Sequence, residues 1–154
     1  MSMKDNISVK LYNVIFPFWM LLLFPVFWVI ICPANFIIDS LVLIISMYAL
    51  GLMQKKEFYK KHILYIFGFG MLADIIGSVY MYAMLILFED YEGFQIDGLG
   101  FTLPALLISA VLIFVFNYFV TFRKDDKNLR LKMSLIFAII TAPYTFLIPI
   151  SWMY

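Results

Sequence analysis

Residues 63–88 read ILYIFGFGMLADIIGSVYMYAMLILF, an unbroken apolar run whose single charged residue is Asp74. A helix of about 20 mostly apolar residues crosses roughly 30 Å of hydrocarbon. Strands of a membrane β-barrel instead alternate apolar and polar positions over about 10 residues, which this run does not do. The stretch therefore reads as a transmembrane α-helix.

The rest of the chain repeats the pattern. Comparable runs lie at 11–31, 33–53, 101–122 and 133–153, separated by short polar segments. Of the 154 residues, 65% are hydrophobic and 14% are charged, and the mean hydropathy is +0.98. A soluble domain is about 45–50% apolar and roughly 25% charged. A soluble fold of this length has too little interior to hide so much apolar side chain. The sequence predicts an all-α, polytopic integral membrane protein with five transmembrane helices, forming one membrane domain over residues 1–154.

Other classes fall away on composition. One cysteine, Cys32, forms no internal disulfide. A net charge of +1 gives no basic surface for nucleic acid. The only histidine, His62, sits at the membrane edge beside Lys60 and Lys61, so neither a His/Cys metal cluster nor a serine or cysteine hydrolase site is expected, and no cofactor is expected. The paired tyrosine-aspartate and glycine-x-glycine-aspartate signature of intramembrane aspartyl proteases is missing: the intramembrane acids occur as Ile38-Asp39 and Ala73-Asp74. The expectation is a protein that is not an enzyme.

The basic residues orient the spans. Lys4 and Lys10 precede the first, Lys55, Lys56, Lys60 and Lys61 lie between the second and third, and Arg123, Lys124, Lys127, Arg130 and Lys132 lie between the fourth and fifth. Those positions hold every basic residue of the chain and fall on one side of a five-span topology. The positive-inside bias makes that side cytoplasmic, with the N-terminus in the cytoplasm and the C-terminus outside. The opposite side carries Glu89, Asp90, Glu92 and Asp97, read as a solvated turn. Trp28, Tyr91 and Trp152 suit an interfacial belt. The first run is longer than a signal-peptide core, and Val29-Ile30-Ile31-Cys32 provides no small-residue cleavage site. It is read as a retained helix, joined to the second by a tight hairpin through Cys32-Pro33-Ala34-Asn35. Lysine prevails over arginine and Ile and Phe are abundant, a bias of AT-rich genomes that suggests a bacterial cytoplasmic membrane.

Two carboxylates inside the spans carry the functional question, because Asp at a helix centre costs about 2.5–3.5 kcal/mol by insertion scales. Asp39 lies roughly 21 Å and Asp74 roughly 17 Å from the cytoplasmic ends of their spans at 1.5 Å per residue. Asn35, Asp39 and Ser46 share one face of the second span, while Gly70, Ala73, Asp74, Gly77 and Ser78 form a small and polar stripe on the third. Such stripes let helices approach closely in lipid. Thr141, Tyr144 and Thr145 of the fifth span lie at similar depth, and Asn117 of the fourth lies nearer the cytoplasm. Pro143 interrupts the fifth span among hydroxyls that can satisfy freed carbonyls.

No Lys, Arg or His lies within a span. The two acids are then neutral and hydrogen-bonded, hold a cation or proton, or pair with a cation from another subunit. Two functions follow. One is a non-catalytic accessory or scaffold subunit, assembled as a homo-oligomer or with another membrane subunit in the bilayer. The other is a small ion- or proton-coupled transporter or channel subunit in which Asp39 and Asp74 form the cation site.

Overall fold

The computed structural model describes residues 18–88 and 99–148. Every regular element among them is helical: α1 (Phe18–Leu21), α2 (Trp28–Ala49), α3 (Lys55–Phe88), α4 (Leu99–Phe116) and α5 (Lys127–Ile140). Short 3₁₀ segments at Pro25–Phe27 and Tyr144–Leu147, and a π-helical turn at Asn117–Thr121, complete the path. Four stretches are long and apolar enough to cross a membrane: Pro25–Ala49, Lys55–Phe88, Leu99–Thr121 and Lys127–Leu147. They correspond to the predicted second to fifth spans. Of the predicted first span only residues 11–17 lie outside the described residues, and the rest is not one helix: α1 ends at Leu21, the 3₁₀ turn follows at Pro25–Phe27, and residues 28–31 already belong to α2. The acidic loop with Tyr91, and Trp152, also lie outside the described residues.

The hairpin predicted at Cys32-Pro33-Ala34-Asn35 is absent, because α2 runs through those four residues without interruption. The chain breaks earlier, at Leu22–Phe24. Pro25 opens the 3₁₀ turn, and Phe24 before it is extended at φ −103, ψ 112, as a residue preceding proline prefers. Trp28 closes this corner by donating its indole N–H to the Leu22 carbonyl at 2.9 Å. Pro25 thus plays the initiating role expected of Pro33.

Helices α2 to α5 pack around two apolar clusters. One joins Leu43 and Met47 of α2 to Ile66 of α3, Ile113 of α4 and Phe137 of α5. The other gathers Leu22, Met71, Met81, Ala105 and Phe146. Large apolar side chains cover the outside as well, including Val29, Ile45, Leu64, Leu107 and Ile139, as expected of a surface solvated by lipid chains.

The α3–α4 contact depends on a missing side chain. A Cβ at Gly77 would overlap the Ser109 hydroxyl and approach the Phe146 ring to 2.7 Å. Ser109 also donates its hydroxyl to the Ala73 carbonyl at 3.0 Å, a bond across the two helices. Ala73 and Gly77, two members of the small stripe, therefore serve packing within this chain.

At one end of the bundle, Lys61 of α3 approaches Asp125, between the π-helical turn and α5, at 3.3 Å. The two basic segments that flank α3 and precede α5 thus share one end of the molecule. Asp126 caps α5 by accepting the Asn128 N–H at 3.1 Å. Helix α3 has 34 residues, about 51 Å at 1.5 Å per residue, which is longer than a hydrocarbon core of roughly 30 Å.

Candidate functional site

The interruption of α5 builds the site. A proline at 143 has no N–H for the Ile139 carbonyl, four residues back. The Tyr144 hydroxyl donates to that carbonyl instead. Thr141 caps the helix end by directing both its N–H, at 2.9 Å, and its hydroxyl, at 2.8 Å, to the Phe137 carbonyl. The chain then turns through Pro143 into the short 3₁₀ segment, where Phe146 seats on Gly77. The predicted fifth span is a helix that begins earlier than expected, at Lys127, and stops at Ile140.

This break opens a cavity of about 380 Å³ between the end of α5, the outer face of α2 and the middle of α3. Asp39, Asp74, Asn35, Thr141, Tyr144 and Thr145 all line it, with Gly70 beside them. Apolar residues, among them Leu22, Ile31, Ile38 and Ala142, supply the remaining wall. No lysine, arginine or histidine lines it among the described residues.

Both aspartates are buried, Asp39 at 5% and Asp74 at 8% exposure. Gly70 lies one turn before Asp74, and a methyl group added there would sit 3.6 Å from Asp39 Oδ2. The α2 carboxylate thus rests against the α3 backbone. Asp74 Oδ1 is buried without a hydrogen-bond partner among the described residues. The Asn35 side chain reaches across to α3, donating from Nδ2 to Met71 Sδ at 3.1 Å.

Three predicted neighbours lie elsewhere. Ser46 is buried two turns along α2 and does not line the cavity. Ser78 donates its hydroxyl to the Asp74 carbonyl at 2.9 Å, a bond within α3. Asn117 is fully buried in the π-helical turn, where the Phe122 N–H reaches its carbonyl at 2.9 Å, and it is not among the cavity residues.

His62 departs most from expectation. Its ring is not exposed but fully buried within the chain, tilted between Phe58 at 4.1 Å and Phe122 at 5.0 Å between ring centres. Its Nδ1 donates to the Phe58 carbonyl at 2.8 Å, and Nε2 lies 2.9 Å from Asp125 Oδ2. The Nε2–Oδ2 approach is an ion-pair distance without hydrogen-bond geometry, and neither atom has a hydrogen-bond partner among the described residues. The clue in the sequence is the run Phe58…His62 with one helical turn between them, which places an aromatic face over the imidazole.

Compared with known proteins, the chain matches no family model, no curated sequence and no solved structure.

Proposed function

We propose that the protein binds a cation or proton within the membrane, as a small ion- or proton-coupled transporter or channel subunit, and that Asp39 and Asp74 form its site. The observation that carries this reading is Asp74: a buried carboxylate with an unpartnered oxygen, facing the same cavity as a second buried carboxylate, with no cationic side chain among the described residues of the wall. Ionisable groups kept inside a membrane despite their cost mark ion or proton paths more often than they mark packing. A helix broken at mid-depth beside such groups is a recurring way to build a binding site in transporters.

The accessory-subunit reading would rest on the small-residue stripe, but Ala73 and Gly77 face Ser109 and Phe146 of the same chain. That leaves the acids as the feature requiring explanation. By the positive-inside rule, the end bearing Lys61 and the Arg123–Lys132 segment faces the cytoplasm, in a bacterial cytoplasmic membrane.

Reconstitution into liposomes tests the function. Cation or proton flux is expected in the wild type and is lost in Asp39→Asn and Asp74→Asn, with both variants remaining monodisperse in detergent. Normal flux through both would overturn the reading.

A further inference from the structure

The chemistry of the cavity wall narrows the class of cation, on the assumption that the proposed cation site is real. The hydroxyl protons of Thr141 and Tyr144 are already committed to the Phe137 and Ile139 carbonyls. Each of these oxygens therefore offers only lone pairs to a ligand. The two carboxylates add further acceptors, including the unpartnered Oδ1 of Asp74. The C-terminal end of α5, whose last residue Ile140 lines the cavity, adds the negative end of a helix dipole. Such a wall suits a cation that brings several hydrogen-bond donors.

Size then separates a bare metal ion from an organic one. A cavity of about 380 Å³ has room for roughly a dozen water molecules at about 30 Å³ each. It falls at the small end of the range for organic ligand pockets, roughly 300–1,000 Å³. A bare ion needs a close shell of oxygens at about 2.3–2.6 Å, whereas much of this wall is hydrocarbon from Leu22, Ile31, Ile38 and Ala142. We propose that the site takes a small primary alkylammonium, its charged head between Asp39 and Asp74 and its hydrocarbon body against α1 and the apolar face of α2.

Binding of radiolabelled n-butylamine to the purified full-length protein tests this directly, with ²²Na⁺ as a parallel probe. Saturable n-butylamine binding is expected, displaced by excess unlabelled n-butylamine but not by equal concentrations of butan-1-ol, which has no charge, or tetramethylammonium, which has no N–H. Ethylamine should compete about tenfold more weakly, at about 0.8 kcal/mol per buried methylene. Asp39→Asn and Asp74→Asn should each weaken binding at least tenfold. Ala34→Phe, which fills the hydrocarbon part of the cavity and spares both acids, should abolish it. Binding that survives unchanged in both Asn variants, or that tetramethylammonium displaces equally well, would overturn the proposal. Absence of n-butylamine binding together with Asp74-dependent ²²Na⁺ binding would overturn the organic class and leave the cation site standing. Absence of binding by either probe would overturn the alkylammonium proposal and leave the cation or proton reading to the flux assay.

Discussion

At the basic end of the bundle, Asp125 meets Lys61 at 3.3 Å and the buried His62 at 2.9 Å. At mid-helix, Asp39 and Asp74 face a shared cavity whose described wall holds no cationic side chain. The same functional group is thus internally paired at one level and unpaired at the other. Pairing at the basic end ties the start of α3 to the loop before α5 and accounts for Asp125 structurally. The mid-helix acids have no such account among the described residues, since no side-chain hydrogen bond or ion pair would be broken by their removal. The contrast separates a carboxylate tied into the fold from carboxylates that only face a cavity, and it is this difference that motivates the proposed site.

Substitutions sharpen or break that contrast. The largest effect is expected at Gly77, because a side chain there meets Ser109 and Phe146. Gly77→Leu should displace the 3₁₀ segment from α3, dismantle the cavity and abolish accumulation of folded protein; Gly77→Ala should cost about 1–3 kcal/mol. Wild-type abundance of Gly77→Leu in membranes would show that the cavity wall does not depend on this close approach. Next in size is Asp125→Ala, which leaves the buried His62 without its carboxylate. Thermal unfolding in detergent should show a loss of about 2–3 kcal/mol.

Asp74→Asn should behave differently. Without added cation, its unfolding free energy should equal wild type within about 1 kcal/mol, since a buried carboxyl with no cation takes up a proton and the amide that replaces it has the same shape and no charge. A loss at Asp74 as large as that at Asp125 would erase the distinction between the two levels. The smallest effect belongs to Lys61→Gln. The lysine side chain is 52% exposed, and half-exposed ion pairs contribute under about 1 kcal/mol. Its effect should shrink further in high salt.

Much of the cavity's polar lining is legible in the sequence. Depth and helical face bring Asp39, Asp74, Asn35, Thr141, Tyr144 and Thr145 together as candidates, and all six line one cavity. That grouping comes from simple geometry: polar residues at equal depth on adjoining helices have few alternatives in a narrow bundle. Ser46 and Asn117 share the chemistry but lie at other levels. The start of α2 is not legible, because Pro25 and Pro33 are equally able to open a helix and only packing selects between them. The burial of His62 is hidden for a related reason. Its neighbours Lys60 and Lys61 suggest an exposed turn, whereas Asp125 and Phe122, which enclose it, arrive from a distant part of the chain. The π-helical turn at Asn117–Thr121 has no signature in its residues.

The central claim is that Asp39 and Asp74 form a single cation- or proton-binding site, and its most direct test is the thermal stability of the purified protein. Melting temperature would be followed against pH and a panel of Na⁺, K⁺, Mg²⁺ and Ca²⁺, for the wild type, Asp39→Asn and Asp74→Asn. A bound cation or proton raises the stability of the folded state alone, by RT ln(1 + [L]/Kd). Stabilisation by one cation, or by acid, that disappears in either variant is the predicted result. Identical curves for all three proteins under every condition would contradict the claim.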